Sequence, residues 1–592
     1  MPKTVHEYVE YVIEKLKERK FPFSMINLFR QEVAEIQTYK EVNRRIVRLG
    51  FLEAEDAAKL LAEFFGVEYY DYFANPVDPS LTKEYLSAEA ANVEAIVLDI
   101  DKENKVVSVG FVNPDPVGSN VMVVKNVLVN QLGQDWNVRI FCVSEPAYKK
   151  FAFTTFNVVE TSDLRSEVLR LKEDKNRSPD ELLLKILAKA VYEGASDIHF
   201  EPGEEGRLRV RKDGILITWL TMPPDVYSRL MIRLMSHTQV QVDKARYIPQ
   251  DGNLAKADPA FLRKLRSMYK ITDVDFRVSF YPNQIPYDDY ENNSCVIRIL
   301  DRKAGVPPLE KLGFSQWIVK KLEDFATRSN GIFIITGPTG SGKSTTLYSM
   351  MRLVNAAELN IITIEDPVEY MHPLWKQGQV NEARGEDGLN FRNALRAILR
   401  HDPDVVLLGE IRDTETAEHA VRAANTGHLV LTTLHTNNAP LAVLRLFDLG
   451  IQKFFIQTTI LGILAQRLVR KTCVHCAEDK EITELQRERL KNRLMKLGLP
   501  EERVSKILSE LVVEKVGKGC TKCAGTGYLG RTAVGELLEF TPAVEEALNK
   551  DDFSLLLKRI MLEQNERNAM LLDAIERVKQ GVTTVEEVLR WF

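Results

Sequence analysis

Residues 337–344 read Gly337-Pro338-Thr339-Gly340-Ser341-Gly342-Lys343-Ser344, a complete G-x-x-x-x-G-K-[ST] pattern. It follows the apolar run Gly331-Ile332-Phe333-Ile334-Ile335 and precedes a helical run from Thr345 to Leu353. That strand–loop–helix context is the one the pattern requires. Small residues let backbone N–H groups curl around a β-phosphate, and the helix adds the positive end of its dipole. Lys343 reaches the β- and γ-phosphates, and Ser344 can ligate Mg²⁺. Three further apolar runs, Ile361–Ile364, Val405–Leu408 and Leu429–Leu434, read as buried strands. Their alternation with helical segments predicts a parallel sheet covered by helices from about residue 310 onward.

Two acidic elements suit a nucleotide site. The run Asp402 to Glu410 is an apolar strand that ends on a carboxylate. Glu410 stands where Asp is usual and would face Mg²⁺ directly or through water. Glu365-Asp366-Pro367-Val368-Glu369 follows another strand. A hydrolase needs a carboxylate to orient or deprotonate the attacking water, and Glu365 is placed for that. His428 and His435 flank the strand 429–434. Their odd spacing points them to opposite faces, so one is expected to be structural while the other senses phosphate.

The six cysteines include two C-x-x-C pairs, Cys473/Cys476 and Cys520/Cys523, separated by 43 residues. Each pair forms a knuckle that offers two thiolates to one tetrahedral ion. Four thiolates close the shell, which predicts a structural Zn²⁺ site with no open catalytic position. Gly519, Gly525 and Gly527 suit the tight turns of such knuckles. Cys142 and Cys295 read as core residues. The spacer over 480–515 is charged and helical in pattern.

At 592 residues the chain suggests three or four domains. With 45% hydrophobic and 28% charged residues, a largely disordered or disulfide-scaffold protein is excluded. The net charge of −5 gives no global cationic field for nucleic acid or anionic lipid. No run of 18 apolar residues and no apolar leader stand out, so a cytoplasmic location is expected. Residues 1–150 read as a mixed α/β interaction domain, with a helix over Glu53–Phe65 and a strand over Val93–Ile100. The charged segment 151–177 suits a linker. Ser178-Pro179-Asp180-Glu181 starts a helix that runs to about Tyr192. Strands at Ile198–Phe200, Arg207–Arg211, Phe276–Tyr281 and Cys295–Leu300, with a hairpin turn at Asp213-Gly214, outline a second domain over 178–305.

Several blocks resemble the secretion ATPase superfamily, specifically the assembly motors of type IV pili and type II secretion. They are GPTGSGKST (337–345), ITIEDPVEY (362–370), LRHDPDVVLLGEIRD (399–413), TGHLVLTTLHTN (426–437), LAQRLVRKTC (464–473), GYLGRTAVGELL (527–538), SDIHFEP (196–202) and IPQDG (248–252). The resemblance implies a RecA-like P-loop ATPase domain over 310–592 with a tetracysteine insert at 470–525. It also implies a preceding PAS-like α+β domain and a separate N-terminal α/β domain. It assigns Gly337, Pro338, Thr339, Gly340, Ser341, Gly342, Lys343, Ser344 and Thr345 to the phosphates. Ser344 and Glu410 are assigned to Mg²⁺, Glu365 to catalysis with Glu369 as the weaker candidate, and His435 to the γ-phosphate. Arginines of the second domain close on the nucleotide in such motors. Arg209, Arg211, Arg277 and Arg298 occupy similar strands, and a planar cation offsets charge that develops in phosphoryl transfer.

The chain departs from that pattern in places. Asn253 follows IPQDG where the family commonly has Arg, the stretch 253–272 is longer, and Asn292-Asn293-Ser294 lacks a common Gly-Glu pair. Retraction motors lack the long N-terminal domain and the tetracysteine insert, so the resemblance favours assembly. The expected protein is a cytoplasmic homo-hexameric ATPase acting with an inner-membrane platform protein, peripheral to that membrane. It takes ATP, Mg²⁺ and structural Zn²⁺, binds no nucleic acid directly, and is not expected to bind cyclic-di-GMP despite the short Arg48-Leu49-Gly50. Pilus assembly is the first reading; a type II secretion motor, a DNA-uptake motor or a non-hydrolysing scaffold are the alternatives.

Overall fold

The computed structural model describes residues 3–86, 93–156, 159–269, 271, 274–283, 293–301, 306–380, 389–520, 522–523, 525–550 and 553–592. Asn292 lies outside them. The chain divides into two compact units, residues 1–305 and 306–592.

The first unit begins with four helices, Val5–Glu18, Phe23–Val33, Tyr39–Arg48 and Ala54–Phe65. Thr4 and Glu7 form a capping box that satisfies the first free N–H groups. Tyr8, Val12, Leu16, Phe29, Val42, Ile46 and Leu61 are buried between the helices. Arg48-Leu49-Gly50 ends the third helix: Leu49 is buried and Gly50 takes a left-handed φ of 79°. A four-stranded sheet follows, in the order Glu68–Tyr69, Asn137–Cys142, Val106–Phe111, Ala95–Asp101. The first three strands are parallel and the last is antiparallel. One face packs Val97, Val107 and Val109 on Val121, Val124 and Leu128; the other packs Ile96 and Leu98 on Val143 and Phe151.

The expected linker is a packed element instead. Thr161–Glu173 is a helix that turns Leu164, Val168 and Leu171 into the core of the next domain, beside Leu183, Leu187 and Leu230. Its charges pair with one another and with the next helix, so a highly charged segment still buries one face. Glu167 is buried and pairs with Arg170 (2.9 Å), Lys185 (2.9 Å) and Arg177 (3.2 Å).

Helix Asp180–Tyr192 and helix Pro224–Thr238 cover one face of a six-stranded antiparallel sheet. Its order is Ile215–Met222, Gly206–Lys212, Asp197–Glu201, Asn293–Asp301, Val274–Pro282, Gln250–Asn253. Alternation buries Ile198, Phe200, Leu208, Val210, Phe276, Val278, Cys295 and Ile297 on the helix side. Asp213 (φ 49°) and Gly214 (φ 83°) form the expected hairpin turn. The longer stretch after Asn253 carries helix Pro259–Tyr269, which adds Phe261, Leu262 and Leu265 to the core. Asn253 itself bonds to Asp275 (2.9 Å) and caps the turn at Lys256 (2.9 Å).

The second unit is built on a seven-stranded sheet. Its order is Lys376–Gln379, Ile361–Glu365, Val405–Leu408, Leu429–Leu434, Gly331–Thr336, Ile460–Thr472, Tyr528–Glu539. Only the last strand runs antiparallel to its neighbour. Every residue of Gly331–Thr336 and Leu429–Leu434 is buried, which is why both read as unbroken apolar runs. Glu536 is a buried carboxylate that accepts the N–H groups of Ala439 and Met570 (both 3.1 Å), each at the start of a helix. Between the cysteine pairs lie a two-stranded antiparallel ribbon, Ala477–Glu481 with Val513–Gly517, and helices Glu484–Lys496 and Glu501–Ser509. Leu490, Leu494, Val504 and Leu511 pack there in one core with Leu572, Ile575, Val578 and Val588.

Glu145 ties the helical module to the first sheet. Burial raises its carboxyl, but the bidentate Arg44 (2.5 and 2.8 Å), Lys149 (3.0 Å) and Lys40 (3.8 Å) outweigh that and bring it down to about 2. A lowered carboxyl stabilises the fold above its ordinary range, and that gain is lost as pH falls toward 2. Glu145→Gln should therefore cost about 2 kcal/mol at pH 7 and nothing near pH 2. Thermal melts of the two chains across pH 2–7 measure the difference.

Candidate nucleotide-binding site

Parallel pairing brings the carboxyl ends of four strands to one edge of the sheet, where ligands of open α/β sheets bind. Gly331–Thr336 ends in the phosphate loop, Ile361–Glu365 in Glu365, Val405–Leu408 just before Glu410, and Leu429–Leu434 just before His435. The Thr336 hydroxyl sits 2.8 Å from that of Thr436 and accepts the Thr436 N–H at 2.8 Å. The loop start is thereby fixed to the His435 segment.

Helix Lys343–Met351 follows the loop directly, starting two residues before the expected Thr345. Gly337 has a φ of 150°, and a Cβ there would lie 2.5 Å from the Gln466 carbonyl oxygen. Gly342 has a left-handed φ of 86°. The buried Lys343 ammonium donates to the carbonyls of Gly337 (2.8 Å) and Pro338 (3.2 Å). Burial lowers its affinity for a proton, and the nearby Glu410 charge opposes that. Thr339, Gly340 and Ser344 are exposed, and Thr345 is partly so. The loop thus offers backbone N–H groups, one cation and a hydroxyl to an anion at a helix start.

The two carboxylates differ in environment. Glu365 is buried and accepts from the Tyr348 hydroxyl, from Thr363 (2.6 Å) and from Gln377 (3.5 Å). Burial pushes its carboxyl above the usual glutamate range, against the pull of these donors. Glu410 is partly open. His435 Nε2 lies 2.9 Å from one of its oxygens and Arg412 pairs with the other. Arg412 also reaches Asp366 at 3.8 Å. His428 sits at the opposite end of its strand, with Nδ1 2.8 Å from the Ala423 carbonyl oxygen, so the two histidines occupy different ends and different surroundings.

In the other unit, strand register aligns Arg277, Arg298, Asp197 and Arg211 in one row across four neighbouring strands. Asp197 binds Arg298 (3.1 Å) and lies 3.9 Å from Arg211. Arg209, one step along the same face, pairs with Glu201 at 2.9 Å. The expected arginines therefore share a face, opposite the helices.

The four cysteine sulfurs lie within 4.8 Å of one another. The separations are 3.9 Å (Cys473–Cys520), 3.8 Å (Cys476–Cys523) and 3.7 Å (Cys520–Cys523). A tetrahedral ion with Zn–S of about 2.3 Å sets its sulfurs about 3.8 Å apart, whereas a disulfide needs about 2.0 Å. The N–H groups of Cys520 (3.1 Å) and Gly527 (3.3 Å) point at the Cys523 sulfur and favour its thiolate. The donor set fits structural zinc.

Sequence reasoning passed over Tyr348, Thr363 and Gln377 around Glu365, Arg412 beside Glu410, and Gln466 under the loop. Gln466 carried a signal, being a polar residue that directly follows the apolar run 460–465. Thr363 stands two residues before Glu365 in the same strand, whereas Tyr348 and Gln377 come from separate segments and left none.

The chain is similar to known proteins over most of its length. The model of the family described as Type II/IV secretion system protein matches residues 172–590. The chain is 32% identical over 559 residues to the type IV pilus assembly ATPase PilB of Thermus thermophilus, covering 92% of this chain and 58% of that protein. It is 37% identical over 406 residues to the type IV pilus assembly ATPase TfpB of Acinetobacter baylyi, covering 68% of this chain and 64% of that protein. It is 37% identical over 431 residues to the type II secretion system ATPase E of Vibrio cholerae, covering 72% and 78%. The chain spans less than two thirds of the length of the two pilus ATPases. With the phosphate loop and acidic strand ends inside the matched region, the chain belongs to the Type II/IV secretion system protein family.

Proposed function

We propose that the chain is a Mg²⁺-dependent ATPase that converts ATP to ADP and phosphate and drives type IV pilus assembly. The observation that carries this reading is the convergence of Lys343, Glu365, Glu410 and His435 on one edge of the parallel sheet, next to the phosphate loop. Residues 337–345 hold the phosphates, with Lys343 on the β/γ pair. Ser344 and Glu410 hold Mg²⁺, which would neutralise charge on the phosphate oxygens. Glu365 orients the attacking water and takes its proton, since burial raises its proton affinity above that of an ordinary glutamate. His435, poised on Glu410, senses the γ-phosphate. Arg209, Arg211, Arg277 and Arg298 supply cations from the PAS-like domain, whose helix-backed antiparallel sheet presents them on one face. The working assembly is a homo-hexamer at an inner-membrane platform protein, with residues 1–150 as the interaction module. No helix among the described residues is long and apolar enough to cross a membrane.

A type II secretion motor is the second reading, favoured by the 37% identity to the Vibrio cholerae ATPase over 72% of the chain. Deleting the gene in its host separates the two. Loss of surface pili with intact secretion supports the pilus motor, whereas retained pili with trapped secreted enzymes establishes the secretion motor.

Phosphate release by the purified chain tests the chemistry. Lys343→Ala should lose nucleotide binding or turnover, and full hydrolysis by it would sink the assignment. Glu365→Gln and Glu410→Gln should mainly lower turnover, Glu365→Gln by about 10²–10⁴-fold. The ionised Glu365 is the active form, so the rate should fall as pH drops through its raised value. Tyr348→Phe removes a donor to that carboxylate and should move the acid limb to higher pH.

The tetracysteine site is proposed to hold one Zn²⁺ per chain. Chelation should release about one equivalent and lower the melting temperature of the 306–592 unit before that of the first. Metal analysis that finds no zinc in chain purified without chelator would overturn this.

A further inference from the structure

We propose that Gln466 is the positioning residue of the phosphate loop, holding the Ser341–Gly342 peptide so that the Gly342 N–H faces the loop's concave side. This rests on the nucleotide reading of that loop. Gln466 is buried in strand Ile460–Thr472, between the buried Ala465 and the part-buried Arg467. Placing a primary amide there costs free energy unless it is hydrogen-bonded. Its Nε2 donates to the Ser341 carbonyl oxygen at 2.7 Å, a buried contact. A carbonyl only accepts, so the amide nitrogen must face it.

The strand itself is fixed against the loop. Ala465 pairs with Thr336 in the parallel ladder, the Gln466 carbonyl closes on Gly337, and Leu468 lies 3.6 Å from where a Gly342 Cβ would stand. A trans peptide points its C=O and N–H in opposite directions. Holding the Ser341 carbonyl against the strand therefore turns the Gly342 N–H away from it. Released, the same peptide could rotate and present its carbonyl to a phosphate, exchanging attraction for repulsion in an anion-binding nest. The Ser341 hydroxyl and the Gln466 Oε1 are buried with no hydrogen-bond partner among the described residues, so the amide donor is the polar contact between Gln466 and the Ser341–Gly342 peptide.

The test is titration of the full-length chain with MgADP and, by competition, with AMP, which lacks the β-phosphate. Gln466→Leu and Gln466→Met keep the volume and remove the donor, and their melting temperatures report folding; Gln466→Met carries the test if the leucine variant melts early. The expected result is at least a tenfold weaker affinity for ADP with AMP affinity within twofold of the parent. In the parent, hydrogen exchange at the Gly342 amide should slow on adding ADP, and this protection should be lost in the variants. Equal loss for ADP and AMP, or unchanged ADP affinity, overturns the proposal. Failure of the parent chain itself to bind ADP overturns the nucleotide reading instead.

Discussion

The hydrogen-bonded parallel alignment of Gly331–Thr336 between Leu429–Leu434 and Ile460–Thr472 is the constraint on which the candidate site depends. It places the loop after the first strand beside the segment after the second, where the Thr336 and Thr436 hydroxyls meet. It also sets Gln466 under the loop. The next two strands add Glu410 and Glu365 to the same edge. A one-residue slip would turn every side chain of a strand to the opposite face. The buried Val406, Leu408, Val430 and Ile334 on the sheet therefore hold the register that the site needs.

Within that frame, two carboxylates are given different chemistry by their surroundings. Glu365 is enclosed by Tyr348, Thr363 and Gln377, and burial raises its proton affinity. Glu410 faces cationic and imidazole partners, Arg412 and His435. Such divergence is how a site separates a proton-accepting role from an electrostatic one. The same economy of buried charge recurs away from the site. Glu536 caps two helices, and Glu167 collects three cations.

Much of this was legible in the sequence. The phosphate loop, the strands at 331, 361, 405 and 429, and the two cysteine pairs depend on local spacing, and local spacing survives folding. The segment 151–177 was not legible. Its composition is that of a solvated linker, but Leu164, Val168 and Leu171 form a buried stripe once Glu167 finds its partners. Composition averages over the faces of a helix, and burial acts on one face.

The sequence by itself determined the chemistry available: a phosphate-loop pattern, acidic strand ends, two cysteine pairs and a set of strand-borne arginines. Each is a short pattern whose residue types are enough to define what it can bind. Only the tertiary structure decided how those groups are tuned. The burial of Glu365, the pairing of His435 with Glu410, and the cross-strand row of Arg277, Arg298, Asp197 and Arg211 depend on contacts between segments far apart in the chain. Gln466 lies 125 residues beyond Ser341. Hydrogen bonds and desolvation act over a few ångströms of space, so these relations exist only once the sheet has formed.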